Sequence, residues 1–377
     1  LFTVKLFSAI FAEILLHIMN KSTDKEHLIN VGITHGDING VGYEIIIKTL
    51  MDNRILDLFT PIVYGSPKVA SFHRKALNIV DFNFNTIHKA EAAIPKRSNI
   101  VSIYEQDAKI DIGTSTPIAG ELAYLALEAA VNDLKDGHID VLVTAPINKK
   151  NIQSPLFDFP GHTEYLAQKF NVKDYLMLMV CDNLRIGVVT GHIPLHEVPL
   201  KLTAELILKK VKILNDSLIK DFNIQKPKIA LLGLNPHAGD NGLLGLEEEQ
   251  IIIPAVNQAM NKGMLVYGPY PADGFFGSSA YTQFDGILAM YHDQGMLPFK
   301  TLAFDSGVNF TAGLPVVRTS PAHGTAYDIA GKDLASPDSF RAAIFLACDI
   351  YRNRQMFAEL NANPLKTGGL TSEKSEG

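Results

Sequence analysis

Short apolar runs that each end in a knot of polar residues constrain this chain most. Asp140–Val143 ends in Thr144-Ala-Pro-Ile-Asn-Lys149, and Ile186–Val189 ends in Thr190-Gly-His192. Lys228–Leu232 ends in Gly-Leu-Asn-Pro-His237-Ala-Gly-Asp240, and Gly286–Met290 ends in Tyr-His292-Asp293-Gln-Gly295. Helical segments at Tyr165–Phe170, Ala204–Leu214 and Glu247–Asn261 separate them. Such strand–loop–helix alternation predicts α/β architecture with parallel sheets. In such sheets ligands bind beyond the carboxyl ends of the strands, where each of these runs carries its polar residues.

The N-terminal part follows the same pattern. Leu28–Thr34 reads as a first strand, followed by the loop His35-Gly-Asp-Ile-Asn-Gly-Val-Gly42 and a helix at Glu44–Met51. The loop's glycines are spaced to let backbone approach a ligand or to make a tight turn, and G-x-G-x-x-G is absent. Pro61–Tyr64 and Ser66–Ala76 read as strand and helix, 80–112 is mixed, and Glu121–Lys135 is an amphipathic helix stopped by Gly137. A chain of 377 residues is long enough for two α/β domains. No fixed-period repeat and no low-complexity segment interrupts it.

Leu6–Met19 is apolar, but Glu13 breaks the run, and it is too short to span a bilayer. With Met19 just ahead of a polar leader, residues 1–26 read as an extension upstream of the first domain. The polar tail, 366–377, reads as disordered. A net charge of −6 argues against a nucleic-acid partner. Two cysteines, Cys181 and Cys348, are too few for a disulfide framework or thiolate metal cage, and fit a cytoplasmic protein.

The densest polar stretch is Gly286–Lys332. Lys300, Asn309 and Arg318 lie there in an otherwise apolar, Gly-rich segment, which closes in Pro321-Ala-His-Gly-Thr-Ala-Tyr-Asp328. Burying such groups unpaired costs roughly 2–7 kcal/mol each, so the stretch reads as a site rather than core. His17, His27, His73, His88 and His138 lack polar context and read as ordinary histidines. His192, His237 and His292 each follow a strand end. They are 45 residues (192 to 237) and 55 residues (237 to 292) apart, too far for a local metal motif. They are open to two readings: three separate loop histidines, or one shared divalent ion with free positions for substrate oxygens. H-E-x-x-H is absent. Gly161-His162-Thr163-Glu164 opens a helix with Thr163 as a possible N-cap, and a helix N-terminus favours an anion.

Taken together, the motifs resemble the 4-hydroxythreonine-4-phosphate dehydrogenase family of pyridoxal phosphate biosynthesis. They are GHTE (161–164), GHIPL (191–195), LNPHAGD (234–240), GPYPAD (268–273), YHDQG (291–295), GVNFTAGLP (307–315), RTSPAHGTA (318–326) and DIAG (328–331). The likeness runs from about 31 to about 354. The last motifs also resemble a loop of isocitrate and isopropylmalate dehydrogenases, which share the family's fold. The resemblance implies two α/β domains around a cleft, 27–150 with 315–365 carrying cofactor loops and 151–314 carrying metal, substrate and dimer residues. It implies a homodimer with a shared site, and one divalent metal (Zn, Co or Mg) on His192, His237 and His292. Substrate contacts fall on His162, Thr163, Lys300, Asn309 and Arg318. NAD or NADP contacts fall on His323, Gly324, Ala326 and Asp328, and Lys300 and Asp273 are candidate catalytic groups. The implied reaction is oxidation and decarboxylation of 4-phosphooxy-L-threonine. Phosphorylated threonate or erythronate is an alternative substrate. A metal hydrolase, an acetyltransferase and a binding protein are alternatives of other classes. The first loop departs from the family's GDPxGIGPE, with Ile38 and Tyr43 in place of its two prolines.

Overall fold

The computed structural model describes residues 28–104 and 108–363. The expected extension, 1–26, and the tail, 366–377, lie outside them. The fold is α/β. Its first strands are β1 (Ile29–Thr34), β2 (Phe59–Gly65), β3 (Asn85–Ile87), β4 (Asn99–Ser102), β5 (Val141–Thr144) and β6 (Leu176–Cys181). Then come β7 (Leu184–Val188), β8 (Lys228–Leu232), β9 (Leu265–Tyr270), β10 (Gly286–Ala289), β11 (Val308–Ala312) and β12 (Val317–Pro321). All twelve join one sheet in the order β3-β4-β2-β1-β5-β12-β11-β6-β7-β10-β8-β9.

The expected parallel sheets are corrected at the centre. From β3 to β12 the strands run one way, and from β7 to β9 they run together the opposite way. Between the two sets, β11 is antiparallel to both β12 and β6, and β6 to β7. The cause is loop length. Only Asp182 and Asn183 join β6 to β7, too few residues for the crossover that a parallel pair needs. Asp182 takes a left-handed φ of 47° to make that turn.

The longer helices are α1 (Gly42–Leu50), α2 (Pro67–Ala76), α3 (Pro117–Asp136), α4 (His162–Lys169), α5 (Ala204–Lys220), α6 (Ile253–Asn261), α7 (His292–Ala303) and α8 (Asp338–Ala362). Helix α3 starts earlier than expected. Thr116 caps it by accepting from the Ala119 N–H, Pro117 holds its first turn, and Gly137 ends it at φ 78°. Gly120 therefore lies inside this helix rather than before it. A Cβ there would sit 2.0 Å from the Asn151 carbonyl oxygen, so glycine lets the 145–161 loop pass. Helix α8 packs Phe340, Ile344 and Ala347, all fully buried, against the centre of the sheet. There Thr319 on β12 donates its hydroxyl to the Ala343 carbonyl at 2.7 Å.

The first loop is closed by the protein itself. A Cβ on Gly36 would meet the Pro146 carbonyl at 2.2 Å, and one on Gly40 the Thr325 carbonyl at 2.7 Å. Buried Asp37 accepts from the Asn39 N–H, Asn151 and the Tyr327 hydroxyl at 2.7–2.8 Å. The glycines thus serve a tight packed turn. Among the described residues no helix is long and apolar enough to cross a membrane. Cys181 and Cys348 are both free.

Candidate active site

Alternate residues of the three central strands face one way and build a floor. Met177 and Met179 of β6, Asn309 of β11, and Arg318 and Ser320 of β12 line one cavity of about 270 Å³. Its walls are the loop after β5 (Pro146, Ile147, Lys149), the start of α4 (Gly161–Glu164), and His192 beyond β7. Helix α7 adds His292, Met296 and Lys300, and the loop after β12 adds Ala322, His323 and Gly324. Every substrate residue expected from the sequence is here: His162, Thr163, Lys300, Asn309 and Arg318.

Arg318 is the most buried of the charged residues that line the cavity, at 3% exposure. Its Nε and Nη2 both donate to the Thr144 hydroxyl, at 3.1 and 2.6 Å. It forms no ion pair among the described residues, so most of its five donors remain for a ligand. Burial lowers its pKa to about 10, with the Glu164 carboxylate acting in the opposite sense, and the group stays charged at neutral pH. Buried His162 is held neutral, its pKa well below the usual imidazole value because of desolvation, then Arg318, then Lys149. Three buried atoms lining this cavity have no hydrogen-bond partner among the described residues: His162 Nε2, Asn309 Oδ1 and His323 Nε2. Buried polar atoms are normally paired, so together they mark a place prepared for polar ligand atoms. The N-cap of α4 is Gly161, not Thr163 as expected. The Thr163 hydroxyl lies inside the first turn and meets that of Thr311 at 3.4 Å.

His192 and His292 come together, ring centroids 5.3 Å apart and tilted by 41°. Two imidazoles on one tetrahedral ion have centres about 5 Å apart, given ion–nitrogen distances of about 2 Å. The pair fits a shared ion. His292 Nδ1 bonds Asp293 Oδ1 at 2.7 Å, which leaves Nε2 as the free lone pair. Desolvation first, then Lys149 and His292, lower the His192 pKa and favour its neutral, ligating form. His237 is not with them. It lines a separate cavity of about 550 Å³ with Asp273, Tyr291, Asp293, Gln294 and Leu297. Among the described residues of one chain, no three His, Cys, Asp or Glu side chains are placed to hold a metal.

The expected cofactor loop lies beside the substrate residues. Its Thr325 carbonyl accepts from the Val41 N–H at 3.0 Å, and Asn148 donates to the Tyr327 hydroxyl at 3.1 Å. His323 and Gly324 face the cavity. Ala326 has a left-handed φ of 43°, and Asp328 is exposed. Two charged residues of the cavity were not singled out from the sequence. Lys149 makes no ion pair among the described residues, and Glu164 is the one carboxylate among them that lines the cavity. Both lie within stretches already marked by position, just past β5 and at the opening of α4.

A profile described as "Pyridoxal phosphate biosynthetic protein PdxA" matches residues 57–347. The chain is 55% identical over 343 residues to a 4-hydroxythreonine-4-phosphate dehydrogenase of Bacteroides thetaiotaomicron, covering 91% of this chain and 94% of that one. The chain belongs to the 4-hydroxythreonine-4-phosphate dehydrogenase family. It is therefore an oxidoreductase of a family tied to vitamin B6 synthesis. A solved family structure, from Klebsiella pneumoniae, matches with a TM-score of 0.75 at 33% identity, covering 87% of this chain and 99% of that one. An Oceanobacillus iheyensis relative, named provisionally as a D-threonate 4-phosphate dehydrogenase, is 38% identical over 324 residues, covering 85% of this chain and 97% of that one. The departure from the family's first loop has a structural account. Ile38 and Tyr43 are fully buried, and Tyr43 stacks between His35 and His73 at 5.1 and 5.3 Å.

Proposed function

We propose that this chain oxidises 4-phosphooxy-L-threonine with a nicotinamide coenzyme and a divalent ion, and that loss of CO2 then yields 3-amino-2-oxopropyl phosphate. The observation that carries the reading is one cavity holding both the His192–His292 pair and Arg318, a buried guanidinium with no ion pair among the described residues. A divalent ion held by His192 and His292 would supply Lewis-acid chemistry toward the substrate oxygens, and a bound nicotinamide would supply hydride acceptance.

The chain's own residues do the rest. Arg318 grips an anionic end of the substrate with a planar fork. Neutral His162, Thr163 and Asn309 orient its polar groups. Lys149 and Lys300 add positive charge where carboxylate and phosphate enter, and Lys300 is the candidate proton donor on the decarboxylated carbon. The apolar Met177, Met179 and Met296 keep water scarce around the reacting carbon. We assign the coenzyme to the loop His323, Gly324, Ala326 and Asp328, within the part formed by 27–150 and 315–365. The metal and substrate part is 151–314.

One chain brings two of the three expected ligands together. In this reading a second copy completes the site, bringing the partner subunit's His237, and with it the partner subunit's Asp273 as the second candidate catalytic group. The active form is then a homodimer, and a reducing, cytoplasmic setting fits the two free thiols. The D-threonate name of one relative keeps a phosphorylated hydroxy acid as the second substrate reading. Membership of a dehydrogenase family sets the hydrolase aside. Absorbance at 340 nm, followed with NAD, a divalent ion and either phosphorylated acid, tests this. Growth with 4-phosphooxy-L-threonine supports the proposal. Growth with the threonate ester alone replaces the substrate, and no growth with either overturns it.

A further inference from the structure

Six consecutive residues, from His237 to Gly242, have positive φ, between 45° and 85°. Four of them are not glycine: His237, Ala238, Asp240 and Asn241. L-residues avoid this region, and a run of them persists only where the surroundings impose it. The turn closes on itself through amide bonds from Asp240 to the His237 carbonyl at 3.2 Å and from Gly242 and Leu244 to the Gly239 carbonyl at 3.0 Å. Those bonds alone do not set where the turn stands on the sheet.

Glu248 lies beneath it, 2% exposed, with no ion pair among the described residues. Its Oε1 accepts from the Leu234 and Asn235 N–H groups at 2.7 and 2.8 Å, and its Oε2 from Asn235 Nδ2 at 3.0 Å. Asn235 in turn accepts the Ala238 N–H on its carbonyl at 3.1 Å, so the carboxylate fixes the residue from which the turn springs. The fit is close. A Cβ on Gly239 would sit 2.7 Å from Oε2, and one on Gly233 3.1 Å from Oε1. Glu248 itself opens a π-helical turn, Glu248–Ile252, the kind of local irregularity often found at functional sites.

The geometry points to Glu248 as the positioning residue for His237: its buried carboxylate locks the left-handed turn and so fixes the imidazole of the residue that opens it. The lock is a property of one chain. Its consequence for ligation rests on the metal reading given above.

The experiment compares three variants of the full-length protein. Glu248→Ala removes all three hydrogen bonds. Glu248→Gln keeps the two on Oε1 but turns a donor toward Asn235 Nδ2. Thr203→Ala removes the N-cap of α5, away from the turn, and serves as the control for general destabilisation. Hydrogen exchange of the Asp240, Gly242 and Leu244 amides is read in metal-free protein, and Co²⁺ affinity by visible absorption. Glu248→Ala should speed those amides at least about tenfold and weaken Co²⁺ about 10–100-fold, the usual cost of losing a group that orients a ligand. Glu248→Gln should fall between, and Thr203→Ala should match wild type in both. A Glu248→Ala protein that behaves like Thr203→Ala in both measurements overturns the assignment. Wild-type protein that takes no Co²⁺ overturns the metal reading instead, and the amide exchange then decides the role of Glu248 alone.

Discussion

The rings of His192 and His292 stand 5.3 Å apart within one chain, while His237 faces a different cavity. If a second copy supplies the third ligand, each site takes His192 and His292 from one subunit and His237 from the other. Mixing and reassembling His192→Ala with His237→Ala then leaves one intact site in every hybrid dimer, and random pairing restores about a quarter of wild-type activity. Mixing His192→Ala with His292→Ala breaks both hybrid sites and restores nothing. Steady-state rates of the two mixtures check this. Equal recovery, or recovery only in the second mixture, would refute this division of ligands.

The loop His323–Gly331 is anchored at Thr325, at Tyr327 and, through the Gly331 N–H, on Glu44 at 3.2 Å. Exposed Asp328 lies between these anchors. A carboxylate there accepts from a ribose 2′-hydroxyl and repels a 2′-phosphate, as the acidic residue of dinucleotide folds does. Wild type should prefer NAD over NADP by at least about tenfold in kcat/KM, about 1.4 kcal/mol. Asp328→Asn should narrow that gap by raising the NADP value. Equal use of both coenzymes by wild type would remove Asp328 from the coenzyme site.

The polar strand ends were legible because α/β chains put function there, and Lys228–Leu232 forms a strand with the expected bounds. Strands β11 and β12 were hidden by their chemistry. Asn309 and Arg318 interrupt the apolar pattern because the cavity needs them on the sheet floor. The cluster from His292 to Gly295 is the first turn of α7 rather than a loop, and its helical signal is masked by polar residues that serve the site. Helix α8 carries its own signal, with Phe340, Ala343, Ile344 and Ala347 at helical spacing. The isolation of His237 from the other two histidines was not legible. It does not follow from strand order, since β7 and β8 both pair with β10; it arises in the left-handed run His237–Gly242, whose conformation the residue types do not announce.

Acid should destabilise the protein through His35 and His73, which flank Tyr43 in the core. Desolvation lowers both to about 4. The folded state then binds fewer protons than the unfolded state between about 6.5 and about 4, so stability is full above about 6.5 and is lost as pH falls through that window. The loss is at most about 3 kcal/mol per ring. His73→Phe keeps the stack but removes one titrating ring and its bond to the Ile38 carbonyl. The variant should be less stable at pH 7.5, yet lose less between pH 7.5 and 4.5 than wild type. Urea midpoints at the two pH values measure this, and an undiminished acid loss would show that His73 is not buried neutral.

Arg318 should be the main discriminator for the substrate's phosphate. It is buried and charged, and among the described residues its guanidinium bonds only the Thr144 hydroxyl. Its uncompensated desolvation is offset only when an anion arrives. Binding energy gained at a remote phosphate can be used to place the reacting carbon. Wild type should then favour 4-phosphooxy-L-threonine over 4-hydroxy-L-threonine by at least about a thousandfold in kcat/KM, roughly 4 kcal/mol. Arg318→Lys keeps a charge but loses the fork, and should lower kcat/KM for the phosphorylated substrate about 100-fold or more, roughly 2.7 kcal/mol. The two substrates together say which end Arg318 holds. If it grips the phosphate, the preference shrinks in Arg318→Lys, because the unphosphorylated compound had no such contact to lose. If it grips the carboxylate, both substrates suffer alike and the preference survives. Wild-type values within about tenfold of each other, about 1.4 kcal/mol, would mean that neither Arg318 nor the lysines around it recognise phosphate.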